Sequence, residues 1–242
     1  MSKVTWKPGT FLYPLPVVMV SCGTMEESNI ITVAWTGIIN TDPAMCYISV
    51  RPTRHSYEMI KKTGEFVINL TTKDLAYATD WCGVKTGAKV DKFKEMKLTK
   101  EKANFLKCPM IKESPVSVEC KVKEIKELGS HHMFIAEVVA INADEKYIDD
   151  KGAFDILKCN LIAYSNGKYN ELGKKVGKFG YSVQKKKKEE KNKLNPLTQA
   201  GKSGKIFKHM LVYICSHRFK KKVKVKKFGG VFKWQLKDQE KI

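Results

Sequence analysis

Between residues 17 and 70 the apolar residues come in short β-branched and aromatic runs, each bounded by turn residues, and that pattern restricts the chain to a strand-rich fold. Residues 30–35, 45–50 and 66–70 each have strand length, and Asn40-Thr41-Asp42-Pro43 breaks the chain between the first two. A further pair, residues 116–122 and 133–141, is joined across Leu128-Gly129-Ser130. Strands this close in sequence pair antiparallel. Helices are few: residues 54–62, with Thr53 as the expected N-cap, then 72–80, then a short one at 89–96. The expectation is a mainly β fold with a few short helices, closed as a barrel or a sandwich.

Charge divides the chain. The formal net charge of +20 suggests a nucleic-acid partner, but residues 1–183 carry 26 basic and 21 acidic side chains, whereas residues 184–242 carry 19 and 4. The excess therefore describes a lysine-rich tail and not the β-rich body. Two domains are expected, 1–183 and an extension 184–242. The run after Val183, Gln184-Lys185-Lys186-Lys187-Lys188-Glu189-Glu190, reads as a solvated linker. Residues 219–236 alternate Lys with Val or Phe around Gly229-Gly230, a weak hairpin signal. Two readings of the tail stand open: attachment to nucleic acid or another anionic surface through Lys185–Lys188 and residues 219–227, or an extension with little order of its own.

Other classes fall away. The longest apolar stretches stop well short of the roughly 18 residues a membrane span needs, and no signal peptide is visible near the start. The seven cysteines show neither a CxxC nor a Cys/His ligand spacing, so no disulfide framework and no metal site are expected. A reducing cytoplasm follows.

The most informative stretch is residues 49–57, Ser49-Val50-Arg51-Pro52-Thr53-Arg54-His55-Ser56-Tyr57. It places a strand end, two guanidinium groups, hydroxyls and a helix start together. Pro52 disfavours helix at Arg51, so the helix opens just after it. Free amides at that N-terminus, beside Arg51 and Arg54, suit a phosphate dianion; alone, the stretch equally fits a capped surface helix with solvated arginines. Residues 28–37 mix polar side chains into an apolar strand, as a planar ligand with edge acceptors requires, or as any amphipathic strand does.

Taken together these motifs resemble the flavin reductase-like, FMN-binding split-barrel family, in particular its flavoredoxin-type branch. The likeness rests on Asn29 with Thr32-Val33-Ala34-Trp35-Thr36-Gly37, on Ser49-Val50-Arg51-Pro52 with Arg54-His55-Ser56, and on Phe66-Val67-Ile68-Asn69-Leu70. It continues through Lys85-Thr86-Gly87, Val90-Asp91-Lys92-Phe93 and Gly129-Ser130-His131 to Tyr169 and Leu172-Gly173, over residues 10–183.

The resemblance implies a Greek-key split β-barrel holding FMN noncovalently at a homodimer interface. The phosphate would be gripped by Ser49, Val50, Arg51, Arg54, His55 and Ser56. Asn29, Thr32, Val33, Ala34, Trp35 and Thr36 would run along the isoalloxazine, Asn69 and Leu70 would line it from a neighbouring strand, and Cys82, Lys85 and Lys92 would lie close by. His131 stands where reductase relatives keep a histidine on the substrate side, and a hydrogen-bonded loop histidine is the competing reading; His132 beside it leaves the assignment open. Cys82 reads as a redox thiol or as a small buried hydrophobe. The implied activity is electron transfer from NAD(P)H or a donor protein to free flavin, ferric complexes or another small-molecule acceptor. No GxGxxG fingerprint is present for a nicotinamide nucleotide, and Ala136 replaces a glycine frequent in reductases, so an FMN electron carrier without substantial NAD(P)H turnover is the alternative. A basic nucleic-acid-binding protein on a barrel scaffold is the rival of another class.

Overall fold

In the computed structural model, residues 1–184 and two later strands, Lys224–Phe228 and Val231–Gln235, are described. The chain forms two compact units, Met1–Gly177 and Lys178–Ile242, where the charge division had suggested 183/184. The lysine run 185–193 lies outside the described residues.

Unit 1 is built on a seven-stranded antiparallel sheet in the order β3-β2-β6-β9-β10-β5-β4. Its strands are β2 (Val18–Gly23), β3 (Ser28–Val33), β4 (Thr36–Thr41), β5 (Ala44–Val50), β6 (Glu65–Leu70), β9 (Val116–Glu127) and β10 (His132–Ala143). The outermost strands, β3 and β4, are consecutive in the chain and separated only by Ala34 and Trp35. The sheet must therefore curl until its edges meet, which makes a barrel split at that seam. Register shifts in the β9–β10 pairing at Ile135/Ala136 and Val138/Ala140 are the bulges that bend long strands around a barrel.

The interior is filled by Val18, Val20, Ile48, Val50, Phe66 and Phe134 among others. Helix α1 (His55–Thr63) closes one end, inserting Tyr57 and Ile60 into the same core. It stops at Gly64, whose φ of 68° gives the left-handed cap that favours glycine. Arg54, not Thr53, occupies the N-cap, with no side-chain cap bond; the Arg51–Arg54 turn, closed by Arg54 N–H to Arg51 C=O at 3.0 Å, shifts the start by one residue.

A second layer covers the outside of β2 and β3. Helices α2 (Ala76–Val84) and α3 (Lys92–Glu95) bury Leu75, Ala78, Cys82 and Phe93 against Met19 and Ile30. The expected 72–80 helix thus begins later, because residues 72–75 form a turn in which Thr72 Oγ1 accepts from the Leu75 N–H. The expected 89–96 helix contracts to four residues, capped by Asp91. β7 (Lys100–Glu101) and β8 (Met110–Ile111) make a short ribbon.

A three-stranded sheet completes the unit: β1 (Leu15–Pro16), β11 (Ile162–Ser165) and β12 (Lys168–Glu171). The β11–β12 turn is Asn166-Gly167, both at positive φ, 45° and 80°, the type I′ geometry of two-residue hairpins. In unit 2, β13 (Lys224–Phe228) pairs antiparallel with β14 (Val231–Gln235), as the hairpin signal suggests.

Ala136 is fully buried in the barrel core beside Cys46 and Cys120. The two sulfurs approach to 3.5 Å across it, from strands that have β10 between them. The Ala136 methyl therefore faces the interior.

Candidate functional site

The barrel seam opens onto a cleft with two sections. The wide section, about 520 Å³, is lined by Thr32, Val33, Ala34, Trp35, Ser49, Val50, Arg51, Arg54 and His131, together with Val17, Ile31, Asp80, Gly83, Val84, Tyr164 and Tyr169. The narrow section, about 160 Å³, is lined by Asn29, Arg54, His55, Ser56, Cys82, Lys85 and Lys92, with Ile31, Thr53, Gly83, Thr86 and Gly87. Ile31, Arg54 and Gly83 belong to both, so the sections adjoin.

The narrow section sits at the N-terminus of α1. The first-turn amides of a helix have no intrahelical acceptors and carry the positive end of its dipole. Asn29 Nδ2 donates to Ser56 Oγ at 2.8 Å, tying β3 to that first turn. Residues 85–87 pass close over Asn29, and Gly87 is required there because a Cβ would collide with the Asn29 amide. Lys92 is only 4% exposed, and its Nζ donates at 2.6 Å to the carbonyls of Ile30 and Cys82. It thereby fixes the end of α2 to β3. Among the described residues no carboxylate forms an ion pair with Lys92, Arg51 or Arg54. Burial pushes the Lys92 pKa down, and an anion in the narrow section would supply the missing countercharge. This donor set, amides, hydroxyls and unpaired cations, fits a phosphate monoester.

The wide section has an aromatic and cationic rim. Ser49 N–H donates to Trp35 C=O at 2.8 Å, pinning the Ala34–Trp35 bend beside the end of β5. Trp35 stacks on His131 with centroids 5.9 Å apart and planes 15° apart. The two histidines separate cleanly. His131 faces the cleft, and burial, then the Arg51 and Arg54 charges, lowers its pKa. His132 turns inward, its Nδ1 2.7 Å from the Tyr57 hydroxyl. The β11–β12 hairpin also lines this section: Tyr164 and Tyr169 pair at 5.9 Å and the Tyr169 hydroxyl donates to Asp80 Oδ1 at 2.9 Å.

Three expected residues lie outside both sections. Thr36 is buried, its hydroxyl donating to Tyr47 C=O at 2.6 Å. Asn69 is a buried hub: its amide nitrogen donates to Met19 C=O and Ser21 Oγ, and its Oδ1 accepts from Ile111 N–H and Ser117 Oγ. Leu70 packs against the barrel core. The cause is common to the last two, since β6 runs between β2 and β9 in mid-sheet, away from the seam. Cys82 is 1% exposed, and burial pushes its thiol up to about 11 against the pull of Lys92, so it is a protonated packing thiol.

Sequence reasoning missed Asp80, Gly83, Val84, Tyr164 and Tyr169 as lining residues. One signal was available: Asn166-Gly167 between Ile162-Ala163-Tyr164 and Tyr169 is a strong hairpin mark.

A flavin reductase like domain matches residues 10–173. Among curated relatives, an uncharacterized protein of Pyrococcus abyssi is 31% identical over 153 residues, 63% of this chain and 87% of that one. Among solved structures, a flavoredoxin of Desulfovibrio vulgaris (Miyazaki F) superposes with a TM-score of 0.70 at 26% identity, covering 76% of this chain and all of the other. A flavoredoxin from Methanosarcina acetivorans gives 0.69 at 27% identity with the same coverage.

Proposed function

This chain belongs to the flavin reductase-like domain family, and from that premise we propose that it is an oxidoreductase that holds FMN noncovalently in the two-section cleft. The observation that carries the reading is a phosphate-sized pocket at the N-terminus of α1 that adjoins a larger, aromatic-rimmed section and shares Ile31, Arg54 and Gly83 with it. The phosphate is assigned to the α1 amides, Arg54, Ser56 and the buried Lys92, and the ring system to the wide section along residues 31–35. Bound flavin supplies two-electron chemistry, and the protein supplies binding, orientation and electrostatics. Thr32 helps by rigidity, since its hydroxyl donates to Thr79 C=O at 2.5 Å. His131, stacked and neutral near physiological pH, is assigned to the approach of the electron donor, NAD(P)H or a reduced protein. The acceptor is free flavin, a ferric complex or another small molecule.

Two further parts belong to this reading. A second copy of the chain covers the seam: Ile38, 84% exposed, lies on edge strand β4 next to Trp35, an apolar edge of the kind that partners cover. A reducing cytoplasm agrees with six described cysteines that are all free and buried, and among the described residues no helix is long and apolar enough to cross a membrane. A second reading, an electron carrier with slow NAD(P)H turnover, is favoured by the likeness to the two flavoredoxins.

The test is the visible spectrum of the purified full chain, followed by anaerobic titration with NADH and NADPH. Flavin bands that bleach within the mixing time support the reductase, and bands that persist support the carrier. A colourless protein that takes up no added FMN overturns both. Gel filtration of the FMN-loaded protein is expected to give a dimer, and a fully loaded monomer removes that part.

A further inference from the structure

The wide section is electrically lopsided. Arg51, Arg54 and His131 are among its lining residues, and the single carboxylate among the described lining residues is Asp80, in α2. Asp80 forms no ion pair with those cations: its Oδ1 accepts the Tyr169 hydroxyl at 2.9 Å, a bond between residues 89 apart in sequence. Tyr169 stands on β12, and its hairpin is tethered by contacts that do not involve Asp80. Lys73 N–H donates to Asn160 C=O at 2.9 Å, Ile162 N–H to Thr71 C=O at 3.1 Å, and Lys73 pairs with Glu171 at 2.7 Å. The hairpin therefore does not need the phenol–carboxylate bond to stay docked, and that bond acts on the cleft wall itself. Burial, followed by Asp80, pushes the Tyr169 pKa up to about 12, so the phenol keeps its proton and remains a donor at neutral pH.

We propose that Asp80, held by the Tyr169 phenol, is a charge-setting positioning residue that lowers the reduction potential of the bound flavin; this rests on the FMN reading given above. A ring that gains negative charge on reduction is opposed by a carboxylate that lines the same section, through a repulsion that solvent at this exposed position weakens without removing. The phenol donor disperses part of that charge and fixes its direction. The two residues thus work in opposite senses on the same quantity, the carboxylate depressing the potential and the phenol moderating it.

Asp80→Asn removes the charge and keeps an acceptor for the phenol, while Tyr169→Phe keeps the ring and removes the donor. On the FMN-loaded full chain, anaerobic dye equilibration is expected to show the potential rising in Asp80→Asn by about 30 mV, roughly a tenfold shift in a two-electron equilibrium. In Tyr169→Phe it is expected to fall by a smaller amount. Both residues line the section assigned to the ring, so affinity for oxidised FMN moves as well, but in Asp80→Asn the reduced form is expected to gain about tenfold over the oxidised one, matching the potential. A merely structural role would move affinity and leave the potentials in place, or move both potentials the same way, and either pattern overturns the assignment. Ultraviolet titration of the phenol gives a flavin-free check: Asp80→Asn is expected to lower Tyr169 from about 12 while the larger rise caused by burial stays, and an unmoved phenol overturns the pairing. Parent protein that takes up no FMN fails the flavin reading instead, which is a distinct result from FMN uptake with unshifted potentials.

Discussion

The two sections of the cleft are made in different ways. The narrow one is local: Thr53, Arg54, His55 and Ser56 are consecutive, and Lys85, Thr86 and Gly87 form a second short run. The wide one joins the runs 31–35 and 49–51 to residues from segments far apart in the chain, from Val17 to Tyr169. Anion binding needs donors around a point, which one helix terminus supplies. A planar ligand needs walls on several sides, which only the closed tertiary fold supplies. Chemistry that converges on a point is thus written in contiguous sequence, and chemistry that needs a slot is written in strand order.

The largest expected effect erases the distinction. Phe134 is fully buried in the barrel core and meets Tyr57 of α1 edge-on at 5.3 Å; Phe134→Ala is expected to cost about 3–5 kcal/mol of stability in denaturant titration, with both sections failing together. Next, Arg54→Ala is expected to weaken FMN binding by about 1.5–3 kcal/mol, the worth of a charge-assisted hydrogen bond. Riboflavin, which lacks the phosphate, should lose much less, and an equal loss for the two ligands in equilibrium titration would break the division of labour. Asn29→Ala removes the buried donor to Ser56 Oγ and is expected to cost about 1 kcal/mol in thermal unfolding, with FMN affinity falling and the environment of Trp35 fluorescence unchanged.

The smallest effect belongs to the wide section alone. Burial, then Arg51 and Arg54, holds His131 below its ordinary 6.5. The unfolded chain then binds more protons there than the folded one, so the contribution to stability is present above pH 6.5 and falls as pH drops through the window just beneath it. An imidazole titration by NMR should place His131 below 6.5, and Arg51→Ala should move it upward. No movement would mean that the arginines and His131 do not share one field.

Legibility followed the same division. Residues 49–56 announced both the helix start and the anion site, because Pro52 and the strand end fix the turn locally. His131 joins them for a reason visible only in the strand register: His132 pairs with Val50, which brings His131 abreast of Arg51. Asn69, expected along the ring, stands outside both sections as a buried hydrogen-bond hub. A polar residue ending a β-branched run suits either a ligand wall or a buried hydrogen-bond hub, and only the position of β6 between β2 and β9 decides in favour of the hub. Asp80 and Tyr169, each unremarkable in its own segment, acquire a role when the β11–β12 hairpin docks against α2.

Strand β2 carries a last consequence. Its alternate residues face two different interiors: Val18, Val20 and Cys22 the barrel, Met19 the helical layer, and Ser21 the polar cluster of Pro109 and Asn69. All six residues of the strand are buried. Ordinary strands of an antiparallel sheet keep one face toward water, where sequence can drift without penalty. β2 has no such face, so among descendants of this chain its identity should be the slowest to change. The outer half of the β9–β10 hairpin, where Lys121, Lys123, Glu124, Glu127 and their neighbours are largely open to solvent, should change fastest while both remain parts of one sheet.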